Sequence, residues 1–241
     1  MMLGISTHCL MEMPLENALS ALDKVCDVVE IMNDGMHHIE NPDIPLLFDY
    51  KYFMHAPSRS VNIASHLEPI RRSSVEVISE TIKIAAHIDA GGVVFHPGYF
   101  PWEKDRDVAV FQLQKSLLEL KELSEDYSLP LFAENMTEWP YFFLKTPKDL
   151  PLITDFGFVL DVGHANLNLC LDEFLQVRIS HFHLHDNYGA EDDHFTIGKG
   201  NIDFEPVYDA IRKNDCSAII EVGSFEGAKR SYNLVKEKLG I

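Results

Sequence analysis

The sequence is poor in cysteine and in positive charge, and each shortage excludes some chemistry. Its four cysteines, Cys9, Cys26, Cys170 and Cys216, stand apart with no C-x-x-C pair. Neither a thiolate zinc site nor a redox dithiol is therefore expected, and a reducing, cytoplasmic setting fits. Lys and Arg number 20 against 38 Asp and Glu, a formal net charge of −18. That excess repels polyphosphate at long range and disfavours duplex DNA as a partner, although bound cations can reverse the sign locally. No uninterrupted run of ~18 apolar residues is present, so no membrane span is expected. Met1 leads almost at once into Leu3-Gly4-Ile5, without the basic region and long apolar stretch of a signal peptide. Also missing are G-x-G-x-x-G, G-x-x-x-x-G-K-[ST] and G-x-S-x-G, which leaves dinucleotides, nucleoside triphosphates and a Ser-His-Asp nucleophile without a sequence handle.

What is present is a repeated pattern. The 241 residues are 46% hydrophobic, enough for one core over residues 1–241, and no Pro/Gly/Ser-rich linker divides them. Short β-branched or apolar runs recur eight times: roughly Leu3–Thr7, Val25–Met32, Tyr52–His55, Gly92–His96, Pro130–Glu134, Gly157–Asp161, Ile179–His185 and Ala218–Val222. Helical periodicity follows most of them, clearest over Glu68–Ile88 and Asp105–Tyr127. The second unit is irregular, because Asn41-Pro42-Asp43 and Pro45 leave room for only a short helix. Eight alternations in a chain of this length predict an α/β fold, a single (β/α)8 TIM barrel, rather than an open doubly wound sheet.

Imidazole and carboxylate groups gather at the C-terminal ends of the predicted strands, where barrel enzymes build their sites. They are His55, His96, Glu134, Asp161, His164, His183 and Glu221, with Asp192 and His194 on the loop after the seventh strand. Without a cation the four carboxylates repel one another, so one or more divalent ions are expected. Nine ligands exceed the needs of one ion, which makes two or three reasonable, with a carboxylate bridging two. Period-two alternation puts His181, His183 and His185 on one face of the seventh strand. For His181 or His185 alone, a role as a hydrogen-bonded core residue carries equal weight.

Other features are weaker. His8, His37, His38, His66 and His87 suggest surface or capping roles, although His8 ends the first strand and could touch substrate. Gly198-Lys199-Gly200-Asn201 is either a plain turn or a set of N–H groups for an anion. Tyr99, Trp102, Trp139 and Phe142-Phe143 either wall a sugar-sized pocket or pack as core.

At His55-Ala56-Pro57, Phe95-His96-Pro97-Gly98, Glu134-Asn135, Leu160-Asp161-Val162-Gly163-His164, His183-Leu184-His185-Asp186-Asn187 and His194 through Gly198-Lys199-Gly200-Asn201-Ile202-Asp203-Phe204, the chain resembles the xylose-isomerase-like superfamily of TIM barrels. That superfamily holds sugar and sugar-phosphate isomerases or epimerases and the endonuclease IV repair enzymes. The resemblance to endonuclease IV implies three zinc ions: His55, His96 and bridging Glu134 on one, Glu134, Asp161, His183 and Glu221 on a second, His164, Asp192 and His194 on a third. It departs after Glu134-Asn135, where Met136-Thr137-Glu138-Trp139 replaces a small Gly- and Gln-containing segment, and the chain is shorter, so a grip on duplex DNA is not implied. The resemblance to the epimerase branch implies one ion held by Glu134, Asp161, His183 and Glu221, with Glu134 and Glu221 moving a proton; a single manganese, magnesium or cobalt ion fits that branch.

The surplus of ligands points first to metal-assisted hydrolysis of a phosphoester on a sugar-phosphate-like substrate, with Glu134 positioning the paired ions and Glu221 orienting the water. The alternative is sugar or sugar-phosphate isomerisation or epimerisation with Glu134 and Glu221 as acid/base pair. A barrel that binds a metal or sugar without catalysis is the third class.

Overall fold

Strand-forming runs ending in a polar turn occur at the expected places, and they close on themselves. The computed structural model describes residues 1–241. Its strands are β1 (Met2–Ser6), β2 (Val28–Met32), β3 (Lys51–His55), β4 (Val93–Phe95), β5 (Leu131–Glu134), β6 (Gly157–Asp161), β7 (His181–Leu184) and β8 (Ser217–Ile220). All neighbours pair in parallel and in chain order, and β1 pairs with β8 to complete a (β/α)8 barrel. The helices are α1 (Leu15–Leu22), α2 (Glu68–His87), α3 (Arg106–Tyr127), α4 (Val162–Leu167), α5 (Leu171–Phe174), α6 (Glu205–Asn214) and α7 (Phe225–Leu239). No helix is long and apolar enough to cross a membrane.

Two connections carry no α-helix. Between β2 and β3 the chain makes only the tight 3-10 turns Gly35–His37 and Pro45–Leu47, and between β5 and β6 the 3-10 segment Pro147–Ile153. Proline explains both: it lacks the N–H that an α-helical turn needs, and Pro42, Pro45, Pro147 and Pro151 fall within these segments.

Alternation along the strands sorts residues into two environments. One face of the sheet and the inner faces of the helices form a single apolar cluster of 59 buried residues. The other face points into the barrel and is layered. Val28, Phe53 and Ile219 form a separate apolar floor, with Met2 and Phe132 packed against it. Gly4 is required in this layer, since a Cβ there would lie 2.6 Å from the Val28 carbonyl oxygen. Above the floor the interior turns polar, first with Glu30 and His181, then with the strand-end residues. The barrel thus offers a rigid apolar base and an inward-facing polar mouth.

Candidate metal centre

Each strand delivers its polar group by register. One residue beyond or at the last paired position, the inward face presents His55 on β3, His96 after β4, Glu134 on β5, Asp161 on β6, His183 on β7 and Glu221 after β8. The structure brings all nine candidate residues together in three adjoining groups, within each of which the ligand atoms lie within 4.8 Å of one another. They are His55, His96 and Glu134; Glu134, Asp161, His183 and Glu221; and His164, Asp192 and His194, which His185 joins.

Glu134 links the first two groups through different oxygens. Its Oε2 lies 3.0 Å from His55 Nε2 and 3.1 Å from His96 Nε2, whereas Oε1 lies 3.1 Å from His183 Nδ1. His183 Nδ1 is also 2.9 Å from Glu221 Oε2. In the third group, Asp192 Oδ2 is 3.3 Å from both His164 Nε2 and His194 Nε2. The rings are held from behind. His55, His164 and His194 set Nδ1 2.8, 2.8 and 2.6 Å from the carbonyl oxygens of Ala56, Asn135 and Glu221, which leaves Nε2 facing the site. Asp161 Oδ1 accepts from the His164 backbone N–H at 2.7 Å, starting α4 and fixing the carboxylate at once.

These groups perturb one another strongly. Burial disfavours the imidazolium form of His55 and His194, but hydrogen bonds and charge from Glu134 and Asp192 overcome it and hold both pKa values up at about 9. His164 and His183 are likewise raised well above the usual value, against burial, by Asp161 and Asp192 for the one and by Glu30, Glu221 and Glu134 for the other. Glu134 and Glu221 remain well below the ordinary carboxylate range despite burial, chiefly because of His183. Burial wins at His96, which is lowered, as it does at His8 and His181 beside the centre.

The donor set fits divalent ions. Asp161 Oδ2 and the His185 Nδ1 atom are buried with no hydrogen-bond partner, a costly state that a cation or its ligands relieve. Imidazole nitrogens with carboxylate oxygens suit zinc and manganese, and the bridging disposition of Glu134 suits a pair of ions.

Some residues take roles the sequence left open or misjudged. His185 packs flat on His194, ring centroids 3.9 Å apart, with Nε2 3.1 Å from Asp161 Oδ1, so it belongs to the centre. Its signal was the alternation shared with His183. His8 is half-buried beside His194 at 4.6 Å and lines the pocket, rather than the outer surface. His37 is also no surface residue: it is fully buried between Thr7 and the Met13 carbonyl. His38, His66 and His87 are exposed. The Gly198–Asn201 turn does not await an external anion, since Asp186 Oδ2 already accepts from Gly198 N and Gly200 N at 2.8 and 2.9 Å. Of the aromatics, Phe143 is core and Trp102 is exposed, whereas Tyr99, Trp139 and Phe142 pack edge to face, and Tyr99 and Phe142 line a hollow shared with His96 and His164. Glu30 was missed, although a lone charge inside Val28-Val29-Glu30-Ile31-Met32 marks it.

The pocket over the centre measures about 170 Å³, and Arg59 is the one Lys or Arg side chain on its lining. Ser58 N and Arg59 N both donate to Asp34 Oδ2, at 3.2 and 3.1 Å, which pins this loop across the mouth.

Comparison with known proteins agrees with this architecture. A family model described as the xylose isomerase-like TIM barrel matches residues 46–238. An uncharacterised protein of Methanocaldococcus jannaschii is 32% identical over 232 residues, covering 92% of each chain. A probable endonuclease 4 of Mycobacterium ulcerans is 28% identical over 204 residues, 78% of each. Among solved structures, a D-tagatose 3-epimerase-like protein superposes with a TM-score of 0.90 at 29% identity, covering 100% of this chain and 97% of that one.

Proposed function

Since the chain belongs to the xylose isomerase-like TIM-barrel family, we propose that it hydrolyses a small phosphoester, sugar-phosphate-like in shape, with divalent ions held at the strand ends. It is an enzyme, of the isomerase/epimerase or the hydrolase kind. The observation that carries the hydrolytic reading is Glu134, whose two oxygens face two donor sets while a third set adjoins them. Proton transfer beside a carbonyl needs one ion; three adjoining sets suit in-line displacement at phosphorus.

His55, His96, Glu134, Asp161, His164, His183, Asp192, His194 and Glu221 would hold the ions, zinc fitting this donor mixture. When bound, they would supply Lewis-acid polarisation of phosphoryl oxygens and make water easier to deprotonate. Glu221 orients the attacking water, and Arg59 pairs with the phosphate at the mouth. Tyr99 and Phe142 wall the organic part of the substrate and exclude solvent from that side. A pocket of about 170 Å³ admits a small ester more readily than a duplex.

One observation favours a second reading: Glu134 and Glu221 approach His183 Nδ1 from two sides at 3.1 and 2.9 Å, the disposition of an acid/base pair for epimerisation. Metal content of protein purified without chelator, followed by assays on phosphorylated sugars, free ketoses and abasic DNA with the same preparation, tests the proposal. Near three zinc per chain with phosphate release supports it. One ion with ketose epimerisation replaces it by the second reading, and no affinity for any divalent ion removes both.

A further inference from the structure

Deep in the barrel lies a carboxylate that this chemistry leaves unused. Glu30 is mid-β2, fully enclosed, on the inward face between the apolar floor and the strand-end groups. An ionised carboxylate in such a place is costly unless paired and hydrogen-bonded. Both of its partners sit on β7: Oε2 lies 3.1 Å from His181 Nε2, and Oε1 lies 2.9 Å from His183 Nε2. His181 is anchored in turn, with Nδ1 2.6 Å from Ser217 Oγ. Glu30 Oε1 and His183 Nε2 are both buried and form no aligned hydrogen bond, so their 2.9 Å approach is a contact of opposite charges.

His183 differs in this from its neighbours. His55, His164 and His194 are held by backbone carbonyls at Nδ1 and offer Nε2 to the site. His183 is reversed: Nδ1 faces Glu134 and Glu221, while Nε2 faces a buried charge. A backbone carbonyl fixes a ring; a carboxylate fixes it and also raises its donor strength.

We infer that Glu30 is a positioning residue of the metal centre: its carboxylate, 2.9 Å from His183 Nε2, holds the ring proton on that nitrogen, so that Nδ1 is the nitrogen presented to a divalent ion alongside Glu134, Asp161 and Glu221. This rests on the metal-centre reading above and extends it one layer inward. Ser217 touches His181 and not Glu30, and is placed in neither the centre nor the substrate pocket.

Glu30→Gln separates charge from shape. The amide oxygen can still face His183 Nε2–H, and the amide N–H can donate to His181 Nε2 while His181 Nδ1–H donates to Ser217 Oγ, so the contacts keep their shape without the charge. Zinc affinity is measured by competition with a chromophoric chelator on the full chain, alongside the visible spectrum of the cobalt-substituted protein. Glu30→Gln is expected to lose about tenfold or more in affinity and to shift the cobalt spectrum, with Ser217→Ala staying within about twofold of the parent. In the zinc-loaded parent, long-range proton–nitrogen NMR should place the His183 ring proton on Nε2 and shift it downfield as a carboxylate acceptor does, a shift that a ring without such a partner would lack and that can be read even if a variant fails to fold. A proton on Nδ1, an unchanged affinity and spectrum in Glu30→Gln, or equal losses in Glu30→Gln and Ser217→Ala would each overturn the inference. If the parent binds no divalent ion, the metal-centre reading fails first and takes this inference with it.

Discussion

His164 and His183 do different work although both are buried and both touch carboxylates. His183 stands where Glu134 and Glu221 meet, so any metal-dependent reaction at this mouth needs it. His164 offers its Nε2 to the group with Asp192 and His194. His183→Ala should therefore cost phosphoester hydrolysis about 10²- to 10³-fold, the scale seen when one group stabilising transition-state charge is removed. His164→Ala should lose a comparable factor and one bound ion per chain if three ions act together. An epimerase working through the second group alone would keep most of its activity in His164→Ala. Metal stoichiometry and turnover measured on both variants separate the two cases, and a His164→Ala protein with full metal content and full hydrolysis would rule out the third set. Arg59 has a narrower task at the mouth. Arg59→Ala should raise KM for a phosphorylated substrate about tenfold with kcat little changed, because an exposed guanidinium binds ground state and transition state alike.

Elements place these side chains, and the tightest constraint is at the first turn of α4. A Cβ on Gly163 would lie 2.0 Å from His185 Cε1, so the helix can approach the imidazole only with glycine at that position. Gly163→Ala should push His185 off His194, lower stability by about 1–3 kcal/mol as overpacking does, and weaken metal binding at the third group. Thermal melting with and without zinc checks both effects. The Asp186 turn gives a second test: Asp186→Ala leaves the N–H groups of Gly198 and Gly200 without their acceptor and should cost about 1–3 kcal/mol. The sequence made the strands legible because β-branched runs stop at polar turns, and β6 over Gly157–Asp161 needed no adjustment. The nine strand-end and loop groups were legible because the inward face of a barrel strand recurs every second residue. Contacts across the barrel were not. Nothing local to Glu30 says that it meets β7, and nothing local to Asp186 says that its carboxylate fills the Gly198–Gly200 N–H cradle from across a loop. Both depend on closure of the sheet or on long-range loop return, which periodicity does not encode.

For the molecule as a whole, the centre makes stability depend on pH in opposite senses with and without metal. In the metal-free protein, His55 and His194 titrate at about 9, against about 6.5 in an unfolded chain. Between those values the folded state binds more protons than the unfolded one, so the stabilisation they confer is complete below pH 6.5 and lost as pH rises through 9. Glu30 has the reverse sign: two imidazoles outweigh its burial and hold it at about 2, so its contribution is complete above the ordinary carboxylate pKa and lost as pH falls through 2. Histidines lowered by burial, His96 among them, work against folding as pH falls below about 6.5, so metal-free protein should melt highest at about pH 6 and lose on the order of a few kcal/mol by pH 9. Divalent ions require deprotonated imidazoles, so binding must displace protons from His55, His164, His183 and His194, and apparent affinity should climb with pH up to about 9. The melting temperature of zinc-loaded protein should therefore hold or rise from pH 6.5 to 9 while that of chelator-treated protein falls, because ligand binding to the folded state alone adds stability in proportion to the logarithm of affinity. Calorimetric titration in buffers of different ionisation enthalpy, at pH 7, should show more than one proton released per ion. Parallel melting curves with no proton release would mean that these histidines do not ligate metal, whatever reaction the barrel performs.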